Sequence, residues 1–317
     1  MRYPVEHPVV LLVGPTAVGK TALSLELAGQ MNAEIISADS RLFYRGMDIG
    51  TAKPTPAERG GIPHHLIDVT EPDETWSLAL FQRQAKAIIA DIQARGKLPL
   101  VVGGTGQYVR AITEGWQVPA QQPDERMRAA LESWADEIGG EGLHQRLALL
   151  DPQAAAAIDW RNQRRTVRAL EVIFNTGRRF SEQRTKGSLP YQYKMIGLIR
   201  ERPELYARVD ARIEQMLADG FEAEVRGLLE KGYSPDAPAL SAIGYREMIE
   251  YVQGQISLEE AVMLIKRRTR QFVRRQANWF KESDARIRWF DAGSVKADEI
   301  VEFIMSEKGW LSAEGEG

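Results

Sequence analysis

The chain has 317 residues, 44% hydrophobic and 27% charged, with a formal net charge of −3 and no cysteine. These values suit a globular protein and exclude a disulfide framework, cysteine-ligated zinc and thiol catalysis. The length suits one large domain plus an insertion, or two domains. No run nears the ~20 apolar residues of a membrane span. Residues 1–9 lack the apolar core of a signal peptide, so a cytoplasmic protein is expected.

Pro8 and the apolar run Val9-Val10-Leu11-Leu12-Val13 predict a buried parallel strand. Gly14-Pro15-Thr16-Ala17-Val18-Gly19-Lys20-Thr21 follows and fits G-x-x-x-x-G-K-[ST], the phosphate-binding loop. Leu23, Leu27 and Met31 then recur at helical spacing. Strand, glycine loop and helix are what this chemistry needs. The glycines let successive N–H groups face one anion, and the helix N-terminus adds a positive dipole end. Lys20 supplies a full charge, and the Thr21 hydroxyl is placed for Mg²⁺. The loop implies a di- or triphosphate, not which one or what becomes of it.

Residues 34–38 predict a second strand ending at Asp39-Ser40-Arg41. Ligands of a doubly wound sheet sit outside the strands' carboxyl ends, so Asp39 should face the phosphate. It could ligate Mg²⁺ through water, act as a base, or cap the following turn. Residues 44–54 read as an ordered functional loop, with Arg45 and Lys53 available for phosphate. A short strand is expected near His64-His65. No two of the four histidines lie four apart on a helix, which favours a structural or substrate-contacting role over metal ligation.

Leu78, Phe81, Ala85, Ile88, Ile89 and Ile92 define an amphipathic helix over 77–95, ended by Gly96. A strand over 98–102 then runs into Gly103-Gly104-Thr105-Gly106-Gln107-Tyr108 at the same sheet edge. Glycines there permit close approach to a ligand.

Composition shifts after Trp116. Residues 117–124 read as a connection, and helices are expected at 124–138 and 143–149. Asp151 is an N-cap with Pro152 at the first helical position. The helix predicted over 162–175 carries Arg164, Arg165 and Arg168 on one side and Val167, Leu170 and Phe174 on the other. Residues 178–194 read as a loop. Residues 160–200 hold ten Lys and Arg against two acids, a net +8 that leaves −11 elsewhere. A polyanion-binding region looks like this, as does a solvated charged face.

A core strand over 195–199 returns the chain to the sheet. On the helix over 206–218, Arg208 and Arg212 share a face. They suit a diphosphate clamp, or surface pairs with Asp210 or Glu214. Residues 258–281 predict the longest helix. Its buried stripe is Leu258, Val262, Ile265, Thr269, Phe272 and Trp279; Arg267, Arg270, Arg274 and Lys281 face the other way. Such a basic face suits a nucleic-acid backbone. The expected fold is α/β: a P-loop NTPase-like parallel sheet flanked by helices, from residues 1–119 and 195–317, with a helical insertion domain at 120–194. The tail after Trp310 is acidic.

Taken together, GPTAVGKT, ISADSRLFYRGMDIGTAKPT, IPHHLIDV, VVGGTGQY, RRTVRALEV, SAIGYREM and TRQFVRRQANWF resemble the tRNA dimethylallyltransferases in this order, over about residues 8–290. The resemblance implies transfer of a dimethylallyl group from dimethylallyl diphosphate to N6 of the adenosine 3′ to the anticodon, in tRNAs reading codons that begin with U. It implies Asp39 as general base, Thr16 and Thr105 lining the reacting centre, and Arg212, with Arg208 nearby, on the diphosphate held by residues 14–21. Mg²⁺ would sit at Thr21. RNA contacts would map onto Asp39, Ser40, Arg41, Leu42, Thr105, Met127, Gln163, Arg164, Arg165, Thr166 and Val167, joined by Arg270 and Arg274 of the basic helix. A monomer that binds the tRNA anticodon stem-loop and no membrane is expected.

The residues leave other readings open. A small-molecule kinase fits residues 14–21 but not the basic insertion. A P-loop RNA-binding protein without transferase chemistry would not need Asp39 and Arg212 at one sheet edge. A relative acting on free adenine nucleotide would not need the insertion.

Overall fold

A computed structural model describes residues 3–116, 124–183 and 187–312. Most of the 117–124 connection, Arg184 and Lys186 of the basic segment, and the tail from residue 313 lie outside them. Two compact units result: Met1–Thr113 with Ser188–Glu314, and one built on Glu114–Gly187. The second therefore begins before the 120 and ends before the 194 expected from composition.

The first unit is a six-stranded parallel sheet, ordered β3-β2-β4-β1-β5-β6. Its strands are β1 (Pro8–Val13), β2 (Ala33–Ser37), β3 (His64–His65), β4 (Leu98–Gly103), β5 (Gln192–Ile199) and β6 (Ile287–Asp291). Central β1 pairs with β4 through Val10–Leu100 to Val13–Gly103, and with β5 through Pro8–Gln192 to Val13–Gly197. Strands covered on both faces read as unbroken apolar runs, and Val9 through Val13 are fully buried.

The helices of this unit are α1 (Lys20–Met31), α2 (Leu78–Ala94), α3 (Gly106–Thr113), α7 (Arg202–Ala218), α8 (Phe221–Glu230), α9 (Tyr245–Val252), α10 (Leu258–Gln276) and α11 (Ala297–Met305). Ser77 caps α2 by accepting from the Leu80 N–H, and Phe81, Ala85, Ile89 and Ile92 are buried, as their spacing requires. Phe43, Phe81 and Tyr108 stack, with the Phe81 and Tyr108 centroids 4.2 Å apart. This cluster ties the 39–54 loop into the core, where Phe43 and Met47 are fully buried.

The second unit contains α4 (Glu125–Leu150), α5 (Pro152–Ala157), α6 (Gln163–Thr176) and a 3₁₀ turn at Ser181–Gln183. The helix α4 is broken at Gly139, where φ is +77°, so the two expected helices run on with a kink between them. Asp151 caps α5, accepting from the Ala154 N–H, and also binds Ser181. Leu131, Leu143, Leu147, Val167 and Leu170 form its core.

Several expectations need correction. Phe174 is exposed, although Val167 and Leu170 on the same side of α6 are buried. The helix α10 stops at Gln276, shorter than expected and shorter than α4. Leu258 and Trp279 are exposed rather than buried, and the stripe is Ala261, Ile265, Val273 and Gln276. The basic block is not one surface. Arg168 pairs with buried Glu171. Lys194 is buried in β5 and donates to the carbonyls of Phe303 and Ser306 at the end of α11. Arg200 donates to the Val18 and Ala292 carbonyls.

Candidate active site

The site lies at the carboxyl edge of β1, β2 and β4, where the predicted glycine loops meet. Gly14 has φ of +149°, and a Cβ on it would fall 2.8 Å from the Leu198 carbonyl oxygen; the loop leaves β1 with no room for a side chain. Ala17 holds φ of +65°, a costly conformation for a residue with a Cβ. Gly19, at φ +118°, begins α1 without a side-chain cap. The first N–H groups of α1 are thus left for a ligand.

Lys20 donates to the carbonyls of Gly14 (2.9 Å) and Pro15 (2.7 Å). Burial pushes its pKa down to about 8, with the Asp39 carboxylate pulling it up and Arg212 pushing it further down. Arg212 is lowered as well, chiefly by burial and against the pull of Asp39. The Asp39 carboxylate thus opposes the loss of charge on both cations, and all three side chains line one cavity.

Arg212 donates from Nη2 to the Thr51 carbonyl at 2.9 Å, while its buried Nε has no partner. A buried guanidinium N–H with nothing to bind fits a site that awaits an anion. Arg208 donates to the Ala17 carbonyl at 2.8 Å. The surface-pair alternative fails, because Asp210 pairs with Arg270 and Glu214 with Lys266.

Asp39 accepts the Arg41 N–H at 3.0 Å, so it does cap its turn. The Ser40 N–H donates to the Thr105 hydroxyl at 3.4 Å, bringing the ends of β2 and β4 together. Two cavities open here. One, of about 560 Å³, is lined by Gly19, Lys20, Thr21, Leu42, Arg208 and His64 among others. The second, of about 580 Å³, is lined by Ser40, Arg41, Thr105, Gln107, Phe272 and Trp279 among others. Thr16, Asp39, Thr51 and Arg212 line both. Lys20, Arg208 and Arg212 bring positive charge to the first cavity and Arg41, Arg212 and Arg275 to the second, which also has the rings of Phe221, Tyr245, Phe272 and Trp279 in its wall.

The structure corrects two phosphate candidates. Lys53 is buried and spends its three donors on the Tyr44 carbonyl (2.7 Å), Asp48 (2.6 Å) and Asp68 (2.5 Å). Arg45 pairs with Glu71. His65 binds Glu34 at 2.7 Å, and His64, its pKa lowered mainly by burial, lines the first cavity. Among the described residues no three His, Cys, Asp or Glu side chains gather as a metal site. Thr21, which lines the first cavity, offers a lone hydroxyl; that suits a hard ion keeping most of its ligands as water and phosphate oxygens.

Among the RNA candidates, Thr166 and Val167 have buried side chains, and Arg270 is paired with Asp210. Arg164, Arg165 and Arg274 are exposed; Gln163 and Met127 are half-buried. The sequence reading missed Thr51, Gln276 and Glu224. Gln276 lies on the apolar stripe of α10, three residues past Val273, and a polar side chain there was the available signal. Thr51 and Glu224 carried none, because their roles depend on contacts between distant segments.

Fold and site together define a phosphate-loop α/β protein. Residues 42–283 match the model of the IPP transferase family, and residues 7–69 that of isopentenyl transferases. The tRNA dimethylallyltransferase of Roseiflexus castenholzii is 58% identical over 274 residues, 86% of this chain and 90% of that one. That of Carboxydothermus hydrogenoformans is 45% identical over 305 residues, 95% and 97% of the two. The crystal structure of the tRNA isopentenylpyrophosphate transferase of Bacillus halodurans is 43% identical, with a TM-score of 0.69 over 94% of this chain and 95% of that one. A eukaryotic dimethylallyltransferase captured acting on tRNA is 29% identical, with a TM-score of 0.78 over 90% and 74%. The chain belongs to the IPP transferase family.

Proposed function

We propose that this chain transfers a dimethylallyl group from dimethylallyl diphosphate to N6 of adenosine 37 beside the anticodon, in tRNAs reading codons that begin with U. The observation that carries the reading is the pair of cavities sharing Thr16, Asp39, Thr51 and Arg212. Donor and acceptor then enter separate spaces and meet at that shared wall.

The chemistry follows from the acceptor. The N6 lone pair is delocalised into the adenine ring, so the allylic carbon must gain positive charge as its C–O bond to diphosphate breaks. Catalysis is then mostly stabilisation of the departing diphosphate. Loop N–H groups, Lys20, Arg208 and the unpartnered Nε of Arg212 are the groups for it. Thr21 would hold Mg²⁺, which would supply further countercharge to the diphosphate. As the C–N bond forms, N6 loses a proton, and Asp39 accepts it as general base. Thr16 and Thr105 sit beside the reacting atoms.

For RNA, Ser40, Arg41 and Thr105 of the second cavity take the target nucleotide, which must leave its stack to reach an interior site. Arg164 and Arg165 of the insertion, which also carries Gln163 and Met127, take backbone phosphates, as does Arg274 of α10. Arg270 is partly neutralised by Asp210 and contributes less charge to this surface. No helix among the described residues is long and apolar enough to cross a membrane. A cytoplasmic monomer suits this reading.

A single-turnover assay tests it: protein, Mg²⁺, dimethylallyl diphosphate and an anticodon stem-loop, with RNA mass as the readout. A gain of one dimethylallyl group at the adenosine 3′ to the anticodon is expected. Prenylated AMP without prenylated RNA, or phosphate transfer from ATP instead, would overturn it.

A further inference from the structure

Glu224, in the first turn of α8, carries four hydrogen bonds on one carboxylate. Its Oε2 accepts the N–H groups of Asp48 (2.8 Å) and Ile49 (2.7 Å). Its Oε1 accepts the Gly50 N–H (3.1 Å) and the Tyr245 hydroxyl (2.5 Å). Three successive backbone N–H groups converging on one anion form a nest, and here the anion belongs to the protein. Bonds to an ionised acceptor are about twice as strong as neutral ones. Tyr245 is fully buried and held edge-on by Phe221, with centroids 5.0 Å apart. A Cβ on Gly50 would lie 2.2 Å from Phe221 and 2.7 Å from Tyr245, so the turn is pressed against both rings. The Thr51 hydroxyl donates back to the Met47 carbonyl at 2.6 Å and closes the turn.

The next group along this turn is the Thr51 carbonyl, which accepts from Arg212. It is the hydrogen-bond partner found for that guanidinium, and Thr51 lines both cavities. We infer that Glu224 is a positioning residue for group transfer: through the Asp48–Ile49–Gly50 amides it fixes the Thr51 carbonyl, which aims Arg212 at the diphosphate. This rests on the proposed role of Arg212. Glu224 touches neither substrate; its effect passes through backbone.

A double-mutant cycle in single-turnover assays tests this. Glu224→Gln replaces one acceptor oxygen by a donor NH₂ facing N–H groups, so the turn shifts. It should slow transfer by roughly 10–100-fold, as for a displaced positioning group, with RNA affinity unchanged. In an Arg212→Ala background the same change should cost less than about twofold, as expected of residues acting as a unit. Amide hydrogen exchange at residues 48–51 should rise in Glu224→Gln. An equal loss in both backgrounds overturns the inference while leaving Arg212 in place. A normal rate in Arg212→Ala alone removes Arg212 from the reaction, and this role of Glu224 with it. If Glu224→Gln loses its cooperative unfolding transition, Tyr245→Phe, which removes one bond, should show a smaller loss with the same non-additivity; an additive loss there overturns the inference.

Discussion

Gln276, at the end of α10, accepts the Thr16 N–H at 2.9 Å and donates to the Gly104 carbonyl at 3.1 Å. One buried amide thus locks the phosphate loop to the glycine segment after β4. A Cβ on Gly104 would fall 2.4 Å from its nitrogen, so the segment must be glycine for the amide to fit. Gln276→Leu keeps the bulk and leaves both backbone groups unsatisfied. We expect a loss of stability of about 1–3 kcal/mol and weaker diphosphate binding, measured by denaturant titration and calorimetry. Unchanged values in both would show that the loop holds its shape alone.

Asp39 has two jobs, turn cap and proposed base, and they separate by substitution. Asp39→Asn keeps an oxygen for the Arg41 N–H but loses the basicity. Transfer should fall by roughly 10²–10⁴-fold, the usual contribution of a general base, with tRNA affinity within a few-fold. Near-normal turnover in this variant would leave Asp39 as a cap only.

Lys20 titrates near 8 in the free protein because burial disfavours its charge. Diphosphate favours the charged form, so binding raises this pKa. Well below pH 8 the lysine is already charged and adds no pH dependence of its own. Above pH 8 binding must take up a proton, and affinity should fall by up to tenfold per unit. Isothermal titration at pH 8.5 in buffers of different ionisation heat should reveal that uptake; its absence would mean that Lys20 is neutral or charged in both states.

Lys53 is buried within the 44–54 loop, and its ammonium is held by Asp48 and Asp68. Lys53→Met should destabilise the fold by roughly 1–3 kcal/mol, less than the ~3–5 of a fully buried pair because both carboxylates are partly exposed. Chemical denaturation measures this. A variant with normal stability but lost diphosphate binding would return Lys53 to the phosphate site.

Binding of an anticodon stem-loop should weaken steeply with salt through loss of counterion release. Removing Arg164 or Arg165 should each lower the slope of log K against log salt by about 1. A slope unchanged by both substitutions would detach α6 from the RNA.

Local pattern was enough for the phosphate loop, the buried strands and α2. Each is a run whose spacing and glycines can satisfy one geometry, and the ordered motifs brought the family with them. Distant pairings left no such trace. The sequence could not show that Lys53 is spent on two carboxylates, that Asp210 belongs to Arg270 and so frees Arg212, or that Lys194 and Arg200 of the basic block are turned inward. Glu224 and Thr51 lie 173 positions apart and are joined only through the folded turn. Hydrophobic period and turn chemistry act over a few residues, so sequence alone determines which segments are strands, helices and anion loops. Which charge neutralises which is set by side chains that meet only after the sheet closes, and that was decided by the tertiary structure.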